Sequence, residues 1–533
     1  MNTTDSATTT TLLYALQNPA LYNHPVQGFE IIETHISWVL LTGQYAYKIK
    51  KPLNLGFLDF STLEKRHYYC TEELRLNRRL APHIYLGVIT ITGNENSPML
   101  GGSGAPIEYA VKMQQFSQQA QLDHMVAQGR LLSTHIDQLA EIVSVFHDSI
   151  AIAEPDSLYG LPAKIHQPVM ENFSQIQPHL TTTLDINQLE QLRIWSEAEF
   201  HRHESIFQSR KNNHFIRECH GDMHLGNMAL LQGSIILFDC LEFNENLRWI
   251  DVISEITFLT MDLDSHTHQA LAWRFLNAYL QLTGDYAGLQ VLRYYQVYRA
   301  LVRAKVACIR ITQQVQVNPA QQPIAYQQYK NYVNLAEHYT QRHGTPLIIT
   351  HGLSGSGKTT CTQLLLESLG AIRLRSDIER KRIAHLPLQA RSSPSINRGL
   401  YTTAASQRTY AYLADLAHTV IQSGYPVIID AAFLTQEQRE LFHRLADNMK
   451  IPFIILDFQA PEAVLRTRII QRMRDGHDAS DADLEVLEHQ LAHHEPLTAA
   501  EMARVLTITV TQPLVSAQTL CEQIKKWSKH QSL

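Results

Sequence analysis

The 533-residue sequence has no run approaching 18 uninterrupted apolar residues, no C-x-x-C pair and no marked excess of either charge. The first absence argues against a membrane-spanning helix, which needs about 20 apolar residues in succession. The N-terminus, Met1-Asn-Thr-Thr-Asp-Ser-Ala-Thr8, likewise has neither the basic stretch nor the apolar core of a secretion signal. Six cysteines (Cys70, Cys219, Cys240, Cys308, Cys361 and Cys521) are scattered along the chain. That spacing speaks against a disulfide framework or a cysteine-based zinc site and fits a reducing cytoplasm. A net charge of −6 gives no electrostatic case for nucleic acid or an anionic membrane as an obligatory partner. The 27 histidines show no four-ligand spacing with cysteine, so surface or core histidine is the default reading. Apolar content of 44% with 18% charged residues is that of a globular chain, long enough for about two to four domains.

What is present is Gly352-Leu-Ser354-Gly355-Ser356-Gly357-Lys358-Thr359, a complete G-x-x-x-x-G-K-T loop. An apolar run, Pro346-Leu-Ile-Ile-Thr350, leads into it and a helix-prone stretch from Thr360 leads out, which is the context the motif requires. Glycines let successive backbone N–H groups surround a phosphate, and the helix N-terminus adds positive field. Lys358 reaches the outer phosphates, and the Thr359 hydroxyl holds Mg²⁺. Gly352, Ser354, Gly355, Ser356, Gly357 and Thr360 complete the expected nucleotide-contacting set. The loop therefore implies binding of ATP or GTP with Mg²⁺.

Around this loop the chain divides in pattern. Ile36–Leu41 and Tyr45–Lys50 flank a Thr42-Gly-Gln turn as a hairpin would, and a helix is expected from Leu63 to Leu80. Pro106–Met113 and Ile235–Cys240 read as strands, residues 120–210 as mostly helical, and Leu247 to Gln314 as long amphipathic helices. A linker is expected at Gln313–Pro323, then one more helix from Ile324 to His343. From Thr345 onward, apolar runs at 346–350, 371–374, 426–430, 452–458 and 504–509 alternate with helical segments, the pattern of a parallel sheet covered on both faces. The expected domains are 1–343 and 344–533.

His220-Gly-Asp222-Met-His-Leu-Gly-Asn227 dominates the N-terminal half. Asp222 and Asn227 have the spacing of a kinase catalytic loop, and Asp239 follows twelve residues later at the end of Ile-Ile-Leu-Phe. Phosphoryl transfer needs one carboxylate beside the acceptor hydroxyl, with Asn and a second carboxylate on Mg²⁺. It also needs a lysine from an early strand paired with a glutamate on the next helix; Lys48 and Glu73 fit that order. Lys50, Lys51 and Glu72 are close competitors, and Lys48 and Lys50 point to one face of their strand. The loop resembles that of the aminoglycoside-phosphotransferase-like kinases, with choline and fructosamine kinases among their relatives. The resemblance implies a two-lobed, α+β protein-kinase-like domain over roughly residues 20–340. In it Asp222 is the catalytic base, Asn227 and Asp239 hold metal, Lys48 contacts the α- and β-phosphates and Glu73 pairs with Lys48. Two departures stand out: Thr42-Gly-Gln offers one glycine where protein kinases have a glycine-rich loop, and Cys-Leu follows Asp239 in place of Phe-Gly. His220 and His224 could form a metal pair, but Gly221 and Gly226 oppose a helix there, so His224 is read as structural.

The C-terminal half carries Arg375-Ser-Asp377-x-x-Arg380-Lys-Arg382 after its second apolar run. There it looks like the P-loop kinases of the polynucleotide-kinase and zeta-toxin type, an α/β fold with a parallel sheet. The resemblance makes Asp377 the candidate base and puts Asp430 in the Walker-B place, on Mg²⁺. Arg466, Arg468, Arg472 and Arg474 lie in a helical stretch, and Arg468 and Arg472 are expected to close over the triphosphate. Together these features imply two ATP-dependent phosphotransferase modules acting on hydroxyl-bearing small molecules. One alternative keeps a single catalytic half beside a nucleotide-binding regulatory or scaffold module. Another has the P-loop half phosphorylate nucleic-acid 5′-hydroxyl ends, using a local groove around Arg375, Arg380, Lys381 and Arg382.

Overall fold

The computed structural model describes residues 11–56, 58–315, 322–342, 344–388, 402–475, 483–509 and 517–531. They form two compact units that interleave in sequence. The first comprises residues 1–135, 145–168 and 207–262, the second 136–144, 169–206 and 263–533.

The first unit is built on a six-stranded antiparallel sheet. Its strands are β1 (Glu30–Glu33), β2 (Ser37–Leu41), β3 (Tyr45–Lys50), β4 (Tyr85–Asn94), β5 (Ser97–Leu100) and β6 (Pro106–Gln114), in the order β1-β2-β3-β6-β4-β5. The expected hairpin is present, with Val39 opposite Lys48 and Ser37 opposite Lys50. Helix Leu63–Asn77 begins at Thr62, whose hydroxyl caps the Lys65 N–H, and ends three residues before the expected Leu80. Two short antiparallel pairs follow: β7 (Ile216–Glu218) with β10 (Trp249–Asp251), and β8 (Met228–Leu231) with β9 (Ser234–Leu237). The catalytic-loop motif lies between β7 and β8. The expected helix from Leu247 therefore starts later, at Val252, because Trp249–Asp251 is drawn into a strand pair.

The second unit holds long helices and the expected parallel sheet. Its strands, β11 (Leu347–His351), β12 (Ile372–Arg375), β13 (Val427–Asp430), β14 (Phe453–Gln459) and β15 (Val505–Thr509), run in the order β12-β13-β11-β14-β15. Every pairing is parallel. β11 is buried at all five positions and β13 at all four. Helices on both faces leave no wet side, which is why these strands read as unbroken apolar runs. The chain leaves β11 between β13 and β14, at the point where the order reverses; open α/β sheets form their ligand crevice there. Helices Leu289–Val315 and Gln322–Thr340 run into the expected linker from both sides, leaving only residues 316–321, which lie outside the described residues; the second helix ends at Thr340, and the expected end at His343 also lies outside them. All six cysteines are free and buried. Among the described residues, no helix is long and apolar enough to cross a membrane.

Candidate active sites

The first site forms where β3, helix Leu63–Asn77 and the segment after β9 meet. Lys48 Nζ lies 2.8 Å from Glu73 Oε1 and 2.5 Å from Asp239 Oδ1. Lys50, one pleat along, donates to Glu73 Oε2 at 2.6 Å and ion-pairs with Glu242. Both lysines thus share Glu73, whereas Glu72 is bound to Arg75 at 2.8 Å and lies 3.6 Å from Arg248. Lys51 faces elsewhere, onto Glu33. Of the competing residues, Lys48 and Glu73 are the pair that also meets Asp239.

Burial works against charge throughout this cluster. It would lower the Lys48 ammonium, but Asp239, Glu73 and Glu242 together hold it well above the ordinary lysine range. Burial would raise Glu73, yet Lys48 and Lys50 hold it well below the usual carboxylate range. Glu242 goes the other way: burial and the neighbouring Glu73 outweigh the pull of Lys50 and raise it. Asp239 has φ of +62°, a left-handed conformation that Asp tolerates better than most side chains. Its N–H is held by the Tyr85 hydroxyl at 3.0 Å, and the next N–H, of Cys240, by Asn77 Oδ1 at 2.8 Å.

The catalytic-loop residues are set by backbone anchors. Glu255 accepts from the N–H groups of His220 (2.6 Å) and Gly221 (3.1 Å), and Asp262 from that of Leu225 (2.9 Å). Asn227 Nδ2 donates to Asp222 O and Oδ2, both at 3.0 Å, so the carboxamide fixes the direction of the carboxylate. Phe238 N–H donates to Asn227 O at 2.9 Å, which brings Asp239 beside Asn227. Burial pushes His220 down to about 4, so its ring is neutral near pH 7. Nε2 faces Phe238 O at 2.9 Å and is therefore the protonated nitrogen, leaving Nδ1 to accept from Asp222 N–H at 3.3 Å. His224 caps Gly226 N–H at 3.1 Å in a short 3-10 turn, and its Nε2 lies 3.4 Å from Asp222 Oδ2.

The second site is a cavity of about 1310 Å³ at the C-terminal edge of the parallel sheet. Its lining includes Ser354, Gly355, Gly357, Lys358, Thr359 and Thr360 from the loop and the first turn of helix Lys358–Leu369. Asp377, Asp430, Arg468 and Arg472 line it as well. Gly352 and Ser356 shape the loop from behind the lining. Gly352 has φ of +137°, and a Cβ there would lie 2.7 Å from Phe458 O; at Gly355, φ of +84°, it would lie 2.9 Å from Leu465 O. Only glycine suits either position.

Asp430 ends β13 and is buried, with Thr362 Oγ1 at 3.3 Å and Arg375 Nε at 4.0 Å. Asp377 opens helix Ser376–Ile383 and lies 3.4 Å from Arg380 Nη1. Lys358 Nζ turns back onto Gly352 O and Leu353 O, both at 2.8 Å. Burial lowers its ammonium to about 8, against the pull of Asp430 and Asp377, while Arg472 lowers it further. In helix Glu462–Asp475, Arg468 donates to Gly355 O at 3.4 Å, while Arg466 is held away by Glu462 and Glu488. Arg474 is exposed and outside the lining.

Several residues here escaped sequence reasoning. Glu242, Tyr85, Glu255 and Asp262 support the first site. Gln490, from helix Leu484–His493, accepts from the Ser354 N–H at 2.8 Å in the second. His489 and His493 of that helix line the cavity, where the default reading of a histidine is surface or core. His351, the residue before the loop, bonds Asp457 at 2.6 Å and contacts His494 at 3.2 Å.

Residues 347–497 match the family model described as an AAA domain. An uncharacterized protein of Mycobacterium tuberculosis is 28% identical over 460 residues, covering 86% of this chain and 89% of its own length. A choline/ethanolamine kinase family protein from Mesorhizobium loti is 11% identical, covering 63% of this chain and 99% of its own, with a TM-score of 0.35. A sugar kinase from a Janibacter species is 22% identical, covering 35% of this chain and 94% of its own, with a TM-score of 0.26. The expected order of an α+β part followed by an α/β part with a parallel sheet is borne out, and the G-x-x-x-x-G-K-T loop of the second part lies within the matched residues.

Proposed function

We propose that the chain is a bifunctional ATP-dependent phosphotransferase with two nucleotide sites, one in each of the sequence modules 1–343 and 344–533. Each site passes the γ-phosphoryl group to a hydroxyl-bearing small molecule. The observation that best supports this is a repeated assembly on unrelated elements. A lysine and acidic side chains meet in the Lys48–Glu73–Asp239 cluster, and a lysine and acidic side chains line one cavity again as Lys358, Asp377 and Asp430.

In the first site Asp222 takes the acceptor proton, with Asn227 fixing its carboxylate. Lys48 serves the α- and β-phosphates and Glu73 holds it in place. In the second, the loop N–H groups and Lys358 bind the outer phosphates, Arg468 and Arg472 offset developing charge, and Asp377 orients the acceptor hydroxyl. The oxygen donors of Asn227 and Asp239, and those of Thr359 and Asp430, fit Mg²⁺, a hard cation that prefers oxygen ligands. When bound, Mg²⁺ neutralises phosphate charge in the transition state. GTP in place of ATP would use the same phosphate contacts. Free buried cysteines fit work in the reducing cytoplasm.

The test is phosphoryl transfer from γ-labelled ATP by the full chain in a metabolite extract, with Asp222→Asn and Lys358→Ala compared. Two labelled products, each lost in one variant, are expected. A single product, or one insensitive to both substitutions, would reduce the chain to one catalytic half or none.

A further inference from the structure

The second cavity extends beyond Lys358 and Asp377, and its far wall differs chemically from its phosphate end. One face of helix Thr403–Gln422 presents Thr403, Ser406 and Gln407, and helix Gln436–Met449 adds Gln438 with its cap residue Thr435. Hydroxyl and carboxamide groups can donate and accept at once, which suits a ligand carrying several hydroxyls. Among the described residues, no protein group hydrogen-bonds the side chains of Thr403, Ser406 or Gln407.

Two described cations that line this end are matched. Arg380 lies beside Asp377 at 3.4 Å and Arg444 beside Glu440 at 3.6 Å. The basic run that a polynucleotide backbone would need is also engaged. Arg375 sits 4.0 Å from Asp430, and Lys381 is buried and donates to Leu388 O. Arg382 donates to Glu379 at 2.9 Å and Gln281 O at 2.6 Å. A nucleic-acid channel also needs exposed aromatic faces for base stacking. Tyr410, the aromatic residue in this wall, is 6% exposed and its hydroxyl is fixed on Phe433 N–H at 3.1 Å.

We propose that the acceptor of the C-terminal half is a small, uncharged polyhydroxylated metabolite, a polyol or sugar, held by Thr403, Ser406, Gln407 and Gln438. The inference rests on the kinase reading of this cavity and names its substrate class. An acceptor hydroxyl oxygen attacks the γ-phosphorus of ATP and a new P–O bond forms. The bond to the bridging oxygen breaks, ADP leaves with the electron pair, and the hydroxyl proton passes to Asp377 and then to water.

The experiment uses the full chain carrying Asp222→Asn, so that transfer by the N-terminal half is silenced. ATP is supplied with one of three acceptor sets: neutral polyols and aldoses, sugar phosphates, or a 5′-hydroxyl oligodeoxynucleotide. Mass spectrometry identifies the product. A phosphorylated neutral acceptor is expected, and adding Lys358→Ala should abolish it. Gln407→Ala should raise KM for that acceptor by about fivefold, the loss of one neutral hydrogen bond, with nucleotide affinity unchanged. Lys358-dependent phosphorylation confined to the oligonucleotide or the sugar phosphates would overturn the inference and leave the kinase reading standing. An unchanged KM in Gln407→Ala would overturn the wall's role. No Lys358-dependent product from any set would overturn the kinase reading itself.

Discussion

At the scale of single residues, the two carboxylates of the first site are held by different partners. Asp222 is directed by Asn227, whereas Asp239 touches Lys48. Asp222→Asn should lower turnover by roughly 10²–10⁴-fold, the range for a positioned base, with nucleotide affinity preserved. On the proposed reading, Asp239→Ala should instead weaken Mg²⁺–nucleotide binding, because it removes an oxygen that would hold the ion and one counter-charge of Lys48. Wild-type turnover in both variants would refute the kinase reading of this half. The lysines separate by pH. Burial holds free Lys358 near 8, whereas Lys48 is held well above the ordinary range. Between pH 8 and about 10.4, the folded chain binds fewer protons at Lys358 than the unfolded chain does. The nucleotide-free fold should therefore gain stability as pH rises through that window, and lose the gain as pH falls back through it to 8. Nucleotide affinity has the opposite sign, since phosphate needs the ammonium: it should fall by up to about tenfold per pH unit above 8. Calorimetric titration of Lys48→Ala, which isolates the second site, checks this, and a flat profile from pH 7 to 9.5 would remove the Lys358 ammonium from binding.

Among the elements, helix Leu484–His493 has the most direct hold on the P-loop. Its Gln490 puts a carboxamide oxygen on the Ser354 N–H, where a phosphate oxygen would otherwise accept. Nucleotide must displace it, so Gln490→Ala should tighten ATP and ADP binding alike by roughly fivefold, one neutral hydrogen bond. Weaker binding in that variant would make Gln490 a nucleotide contact and not a competitor. Neither Gln490 nor Glu242 was readable in advance, since their partners lie 136 and 192 residues away. The strands of the parallel sheet were readable because burial on both faces forces runs such as Leu347-Ile-Ile and Phe453-Ile-Ile-Leu. β7 and β10 were not, because three residues carry no period and only their mutual pairing makes them strands. A P-loop and a catalytic loop are local geometries, so their candidate residues could be named from spacing alone. What a side chain faces across the fold is not local, and the choice between Lys48 and Lys50 needed Asp239 to be in place.

The whole molecule divides differently as a sequence and as a folded object. Motifs and periodicity change at residues 343–344, yet the residues from 263 onward form one compact unit with the P-loop sheet. Within that unit, buried Asn277 on helix Gln269–Thr283 donates to Ala371 O at 2.9 Å and accepts from Arg373 N–H at 2.8 Å. Arg274 meets Glu367 at 2.7 Å, and Trp273 packs against the apolar cluster of Ile348, Leu366 and Ala371. Cutting the chain at 344 would therefore leave Ala371 O and Arg373 N–H without these partners and expose the apolar face that Trp273 covers. Each buried group stranded in this way costs about 1–3 kcal/mol, and lost apolar cover adds to that. A fragment of residues 344–533 should consequently unfold at lower denaturant concentration than one of residues 263–533, if it stays soluble at all. Asn277→Ala in the longer fragment should reproduce part of that loss, because it removes the same two hydrogen bonds while keeping Trp273 in place. Urea titrations of the three proteins, followed by circular dichroism, check the order. Equal midpoints for the two fragments would mean that the P-loop module folds as independently as its sequence boundary implies, and that the helices after 263 add nothing to its stability.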